Sequence, residues 1–395
     1  METKERKPDK FGLTNVMNNK YFSTIFKMLL AFEGIILALY MLNVGFHKAV
    51  NPVNFHINFI DLVLETGTLR TAILLSMPIL LVAVGSTFNE RAGVINIGVE
   101  GIMIWGAWAA AYMTIQTGNP WMGVLGAIFM GTFMALIHAI FTITFRAEQI
   151  VTGVAINFLA LGLTEVLTNL IWETSYSPTV DSPDRIDLFG IPVLGQFFKL
   201  LRFSTYYDVP VLGDILKQLP DIMVAINNLN GLVYLAFLLI PLSHILLFKT
   251  SIGLRLRVIG ENPQAAATAG ISVHKYQYLA VIISGIFSAL GGAVLAFEVD
   301  AFKTDMVNGR GFMGLASMIF GKWSIIGSAF AALFFGFFFS LKFDLSINMP
   351  GFNVPNPFIQ MIPPIVAILT LAGFVGRARP PKAIGIPYNP SNEDG

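Results

Sequence analysis

Apolar runs alternate with short polar intervals along almost the whole chain, and the run lengths set the architecture. Runs near or above the ~20 residues that a helix needs to cross a bilayer occupy about 21–46, 69–84, 101–117, 121–145, 149–172, 229–248, 278–297, 325–341 and 358–374. Within the first run Lys27 can reach the interface, whereas Glu33 is deeper and needs a partner or a polar cavity. Residues 47–68 are too polar to span and are expected on the outer surface. STFNERAGVINIGVEG, residues 86–101, is half polar and carries three glycines. It predicts a discontinuous helix whose freed backbone groups sit inside protein or line a cavity. EVDAFKTDMVNGRGFMG, starting at Glu298, is a second such interval, followed by the half-length run GLASMIFG and a break at GKWS.

Lys and Arg positions give the sidedness. The N-terminal METKERKPDK is basic, the interval 249–278 carries Lys249, Arg255, Arg257 and Lys275, and GRARPPK follows the last run. The long apolar run after the N-terminus lacks a small-residue cleavage site, so it reads as an uncleaved span. Cytoplasmic segments carry the Lys/Arg excess, which puts both termini and 249–278 on the cytoplasmic side and demands an even number of crossings. The number is even only if 303–321 is a crossing or re-entrant leg besides 325–341. The expectation is therefore an all-α polytopic membrane protein with about ten transmembrane or re-entrant helices. Span, glycine-bearing break, half helix and small-residue span recur at 69–117 and 278–341, with the breaks near opposite faces. An inverted-topology repeat with broken helices would give that pattern. The expected divisions are 1–68 (N-terminal cytoplasmic segment, first span and external segment), a core at 69–390 and a tail at 391–395. Within the core, 173–228 is an external excursion and 249–278 a cytoplasmic loop.

Composition agrees and removes several functions. Of 395 residues 55% are hydrophobic and 12% charged, against about 25% charged in a soluble domain; mean hydropathy is +0.69. A net charge of +1 makes no case for nucleic acid. The absence of cysteine excludes disulfides, thiolate metal sites and cysteine nucleophiles. Histidines 47, 56, 138, 244 and 274 show no metal-ligand spacing, and no nucleophile–base arrangement stands out, so neither a metal nor a catalytic residue is expected. Gly309 to Gly314 spell G-x-G-x-x-G, but between membrane runs rather than after a soluble strand, which makes it a chance match. Gly321-Lys322 is followed by Trp323, so it is no phosphate loop.

The candidate substrate path comprises Asn96 and Glu100 at the first break, Asn308, Arg310 and Phe312 at the second, and Asn157 between them. Arg310 has the alternative of anchoring a helix end at the outer interface. Asn157, Thr164 and Thr168 share one helical face, with Glu165 about 80° from Asn157; they either join helices or face solute. Gly285, Gly291, Gly292 and Ala109 to Ala111 read as close helix packing. In the loop, GENPQAAATAG is a self-contained helix with Asn262 as N-cap, Pro263 in the first turn and Gly270 at the left-handed end. Its small side chains suit a groove on another protein; the alternative is an ordinary capped loop.

Five segments carry a family resemblance: ERAGVINIGVEGIM (90–103), EQIVTGVAINFLALGLT (148–164), GLRLRVIGENPQAAATAGI (253–271), GRGFMGLASMIFGKW (309–323) and GRARPPKAIGIPY (376–388). Together they resemble permease subunits of bacterial ABC importers, in the ribose and branched-chain amino acid branch. Within it, the similarity is greatest to nucleoside or simple-sugar permeases that work with basic-membrane-lipoprotein-type binding proteins. The resemblance covers about 69–390 and implies a multi-pass subunit of the bacterial cell membrane that is not itself an enzyme. It implies a second related permease, two ABC ATPase domains that carry the ATP and magnesium, and an external lipoprotein that delivers nucleosides or related solutes. It makes Gly260, Glu261, Asn262, Pro263, Ala265, Ala266 and Gly270 part of the coupling helix that docks on the ATPase. The extended N-terminus and the excursion at 173–228 depart from the family pattern. The competing reading is an ion-driven secondary transporter, for which Glu33, Glu100 and Glu165 are the available carboxylates; a passive channel is a third.

Overall fold

The computed structural model of the protein describes residues 37, 39–41, 43–44, 62–63, 65–186, 225–347, 354–373 and 379–389. Two compact units are present, one of 65–342 with 361–395 and the other of 1–64 with 343–360. The features that bear on function lie in the first.

Helix α1 (Thr66–Arg91) is apolar around its whole circumference and buried along most of its length, as a helix enclosed on all sides must be. A non-helical stretch at 92–98 leads into α2 (Val99–Thr117), which stops at Gly118 in the left-handed region. Asn119 then opens α3 (Pro120–Ala139) by accepting from the Trp121 N–H at 2.9 Å, with Pro120 in the first turn. One π-helical turn, Ile140–Thr144, prolongs α3. Glu148 caps α4 (Gln149–Trp172) by accepting from the Val151 N–H at 2.6 Å.

The excursion after α4 closes on itself. β1 (Arg185–Ile186) pairs antiparallel with β2 (Leu229–Asn230), Arg185 opposite Asn230, so the chain leaves and returns at one place; 187–224 lie outside the described residues. Asn230 also caps α5 (Gly231–Lys249). The expected loop at 249–278 is mostly helix: α6 (Ser251–Glu261), α7 (Pro263–Thr268) and the start of α8 (Val273–Glu298). After 299–309 come α9 (Arg310–Phe320), α10 (Ile325–Ile347), α11 (Asn356–Gln360) and α12 (Ile362–Gly373).

Helix α8 is the axis, packed along α1, α2 and α3. Glycine makes that closeness feasible: a Cβ on Gly292 would lie 1.9 Å from the Met103 carbonyl oxygen, and one on Gly285 2.6 Å from that of Gly131. The close packing expected at these glycines is what the structure has.

Among the described residues, six helices are long and apolar enough to cross a membrane: α1, α3 with its π turn, α4, α5, α8 and α10 as far as Leu345. The expected count of about ten is not confirmed among the described residues: α2, expected as a span, is not one of the six, and α9, expected as a crossing or re-entrant leg, has 11 residues. The expected first span, 21–46, lies outside the described residues except for a few helical positions between 37 and 44. The first break is narrower than expected. Residues 86–91, read as part of the polar interval, continue α1: Asn89 Nδ2 donates to Val94 O and Glu90 accepts from Trp323 in place of water, while Asn89 Oδ1 is buried without a partner.

Candidate functional site

The stretch 92–98 gives up its helical hydrogen bonds inside protein, and side chains replace them one by one. Gln277 on α8 donates to the Ala92 carbonyl at 3.4 Å, and Asn89 donates to Val94 at 2.7 Å. Gln149 accepts from the Ile95 N–H at 2.6 Å while His138 Nε2 meets the Ile95 carbonyl at 3.0 Å. Asn157 bridges the far end, donating to Ile97 O at 3.1 Å and accepting from Gly101 N–H at 2.7 Å. Asn96 accepts from Gly98 N–H at 3.0 Å. A buried backbone group without a partner is costly, so these amides and the imidazole hold one particular path for the chain.

The second break meets the first at Glu100. Glu100 Oε1 accepts from the Gly309 N–H at 2.6 Å and Oε2 from the Gly311 N–H at 2.7 Å. The carboxylate at the start of α2 thus caps the start of α9, where free N–H groups and the helix dipole favour negative charge. The glycines of the chance G-x-G-x-x-G serve this joint. Gly309 takes φ +80°, and a Cβ on Gly311 would stand 2.5 Å from Glu100 Oε2. Arg310 turns back on its own break, donating to Met306 O at 2.9 Å and Val307 O at 3.2 Å, and lies 5.4 Å from the Phe339 ring centre. At the other end of α9, Trp323 Nε1 donates to Glu90 at 2.6 Å and Arg91 Nε to Trp323 O at 2.8 Å. Helix α9 is therefore pinned at both ends, to α2 by Glu100 and to α1 by Trp323.

The predicted path residues divide by what they do. Asn96 is buried and Asn157 half-buried; Asn157 spends both amide atoms on backbone, whereas Asn96 accepts through Oδ1 and its Nδ2 is buried without a partner. Asn308 and Phe312 are exposed. Thr164 and Thr168 bond back to their own helix, to Ala160 O and Thr164 O, so they neither tie helices together nor offer a hydroxyl to solute. Glu165 is exposed. Sequence reasoning missed Asn89, His138, Gln149 and Gln277 as holders of the break. Only His138 is polar inside an apolar run; Asn89 and Gln277 fall in polar intervals and Gln149 at the first position of a run, where a polar residue draws no notice. It also missed the aromatic group between α2 and α4: Trp108 stacks on Tyr112 at 5.1 Å and meets Trp105 edge-on at 5.8 Å and Trp172 at 6.1 Å. The indole N–H groups of Trp105 and Trp108 are buried without an acceptor.

The loop helix forms as its caps dictate. Asn262 accepts from the Ala265 N–H at 3.0 Å, Pro263 occupies the first turn, and Gly270 at φ +78° donates to Ala267 O at 2.8 Å. Glu261, Asn262, Gln264, Ala265, Thr268, Ala269 and Gly270 are exposed, while Pro263 is buried. Three residues expected on the docking face, Gly260, Pro263 and Ala266, are buried instead. Ala266 is fully buried with Ile259, Val273 and Tyr388, and a Cβ on Gly260 would lie 2.2 Å from the Arg91 carbonyl oxygen. A six-residue helix has room for one packed face, and Ala266 is on it. Ala266→Glu is therefore expected to lower the protein's own stability, by burying a charge without a partner, and thermal unfolding of the purified chain checks this.

Residues 68–371 match the family described as branched-chain amino acid transport system / permease component. The chain is 42% identical to the guanosine ABC transporter permease protein NupQ of Bacillus subtilis, over 79% of this chain and 92% of that one. It is 34% identical to the nucleoside ABC transporter permease protein NupC of Lactococcus lactis, over 79% and 93%. Identity to the putative glucose ABC transporter permease protein TsgC13 of Haloferax volcanii is 30%, over 75% and 85%.

Proposed function

We propose a mechanism from one premise: this chain belongs to the branched-chain amino acid transport system permease family. It is a membrane permease subunit of an ABC transporter, a transport component and not an enzyme. In our reading the solute is a nucleoside, and guanosine is the probe to use first. Support comes from the two relatives with nucleoside names. The chain works in a bacterial plasma membrane with both termini cytoplasmic. It pairs with a second related permease, two ABC ATPase domains that hold ATP and magnesium, and an external lipoprotein that delivers solute. The two broken helix pairs, α1–α2 and α8–α9, are halves of an inverted repeat.

ATP binding by the partners moves α7, and the motion reaches the solute path at Glu100. Asn96 and Asn157 hold its wall, Glu100 and Arg310 set the position of α9, and Asn308 and Phe312 are exposed to meet solute. The single observation that carries the coupling reading is α7 itself. It is capped from within the chain and packed on one side, yet it leaves a small-residue face free. Ala265→Glu on that face is expected to leave the permease folded in the membrane but to abolish co-purification of the ATPases and ATP-driven guanosine uptake. Normal co-purification with normal uptake would overturn the docking role.

A further inference from the structure

The segment PPKAIGIPY, 380–388, follows the last helix; it carries part of the family resemblance yet lies beyond the matched residues 68–371. Such a tail would ordinarily be free to fray. Here it is stitched to two separate functional elements. The Ala383 N–H donates to the Gly260 carbonyl at 2.9 Å, at the end of α6 just before the coupling helix. Two residues later the Gly385 N–H donates to the Gly93 carbonyl at 3.0 Å, at the start of the first break. Turns at Pro381–Ile384 and Ala383–Ile386 keep the segment compact between those points, with bonds of 3.3 and 3.2 Å. Gly385 takes φ +76°, and a Cβ there would come within 3.0 Å of the Ile95 side chain. Tyr388 is 9% exposed and completes the small core of Ile259, Ala266 and Val273 beneath α7, while His274 stands edge-on to its ring at 5.4 Å.

The tail therefore shares a hydrogen bond with the break, another with α6 and a core with α7. The break and α6 also meet directly, since Gly260 abuts the Arg91 carbonyl. That direct contact is a close approach of glycine backbone, with Glu261 near enough to Arg91 for their charges to attract. A third strand of chain bonded to both sides fixes their relative position, as the second point of attachment on any rigid link must.

We propose that residues 381–388 are a positioning clasp that makes the coupling helix and the first break move as one body. This rests on the permease reading above. Without the clasp the ATPases still dock on α7 and still hydrolyse ATP, but α7 moves against the break instead of carrying it. The clasp touches no solute. It acts through Gly93 and Gly260, and its expected signature is uncoupling rather than loss of assembly.

The test uses the complete complex of both permeases, the ATPases and the binding lipoprotein in proteoliposomes, with labelled guanosine as probe. Tyr388→Ala and a truncation after Gly376 are compared with the unaltered chain, and Tyr388→Phe serves as the conservative variant because it keeps the ring. The expected result is co-purification of the ATPases and retained ATP hydrolysis, with the ATP consumed per guanosine imported rising about ten-fold for Tyr388→Ala and the truncation, a size typical of coupling between sites. Tyr388→Phe is expected to behave as the unaltered chain. Uptake and hydrolysis falling in parallel, no change in either, or failure of Tyr388→Ala to assemble would each overturn the clasp. If the unaltered complex shows no ATP-driven uptake, the permease reading fails instead.

Discussion

Glu100→Ala is expected to abolish uptake and to lower the melting temperature of the complex. The substitution deletes the acceptor of two backbone N–H groups, Gly309 at 2.6 Å and Gly311 at 2.7 Å, in a partly buried joint. Leaving a buried donor unsatisfied costs about 1–3 kcal/mol, so the pair amounts to roughly 2–6 kcal/mol against a total stability of ~5–15 kcal/mol. The same change frees the start of α9 from α2, while Trp323 still ties its other end to α1. The half helix then pivots about Trp323, and the path through the two breaks loses its shape. Glu100→Gln keeps one acceptor oxygen and is expected to fall between the two. Uptake and thermal unfolding measured together check this; an Ala variant that transports normally would show that the joint is incidental.

Gly292→Val is expected to remove the protein from the membrane fraction. A Cβ at this position would lie 1.9 Å from Met103 O and 2.8 Å from Ala107 N, both backbone atoms that no rotamer change can move aside. Overpacking a tight core costs about 1–3 kcal/mol where neighbours can yield. Here α2 and α8 must separate along their contact, so the loss is at the upper end or beyond. Gly162→Ala on α4 is the control. Nothing lies within 4 Å of a Cβ at that position, and replacing a helix-interior glycine there is expected to gain about 0.5–1 kcal/mol. The steady-state amount of each variant in membranes, with the melting curve of the control, gives the comparison.

What could be read from the residue order was whatever is decided locally. Helix α4 spans the apolar run at 149–172, and Asn262, Pro263 and Gly270 cap α7 as their backbone preferences require. The two glycine-bearing intervals were legible as breaks because a polar, glycine-bearing stretch is a poor membrane helix. What could not be read was who satisfies whom. His138 lies 43 positions from Ile95, Gln277 185 from Ala92 and Glu100 209 from Gly309, and no local pattern encodes such pairs. The same gap misplaced Ala266. In a helix of small residues the sequence shows no apolar stripe, so only the packed structure tells which alanine faces Tyr388 and which faces outward. The extent of α1 was underestimated for a related reason, since Asn89 and Glu90 look like loop residues until Val94 and Trp323 are found beside them.

The central claim is that an external ATPase, acting through α7, drives solute through the breaks joined at Glu100. The most direct measurement is guanosine uptake into proteoliposomes containing the complete complex, with ATP present and every ion gradient collapsed. The account predicts uptake that requires ATP, is indifferent to ionophores and is lost in the Ala265→Glu variant. Uptake by this chain alone, driven by an ion gradient and unaffected by ATP, would contradict it.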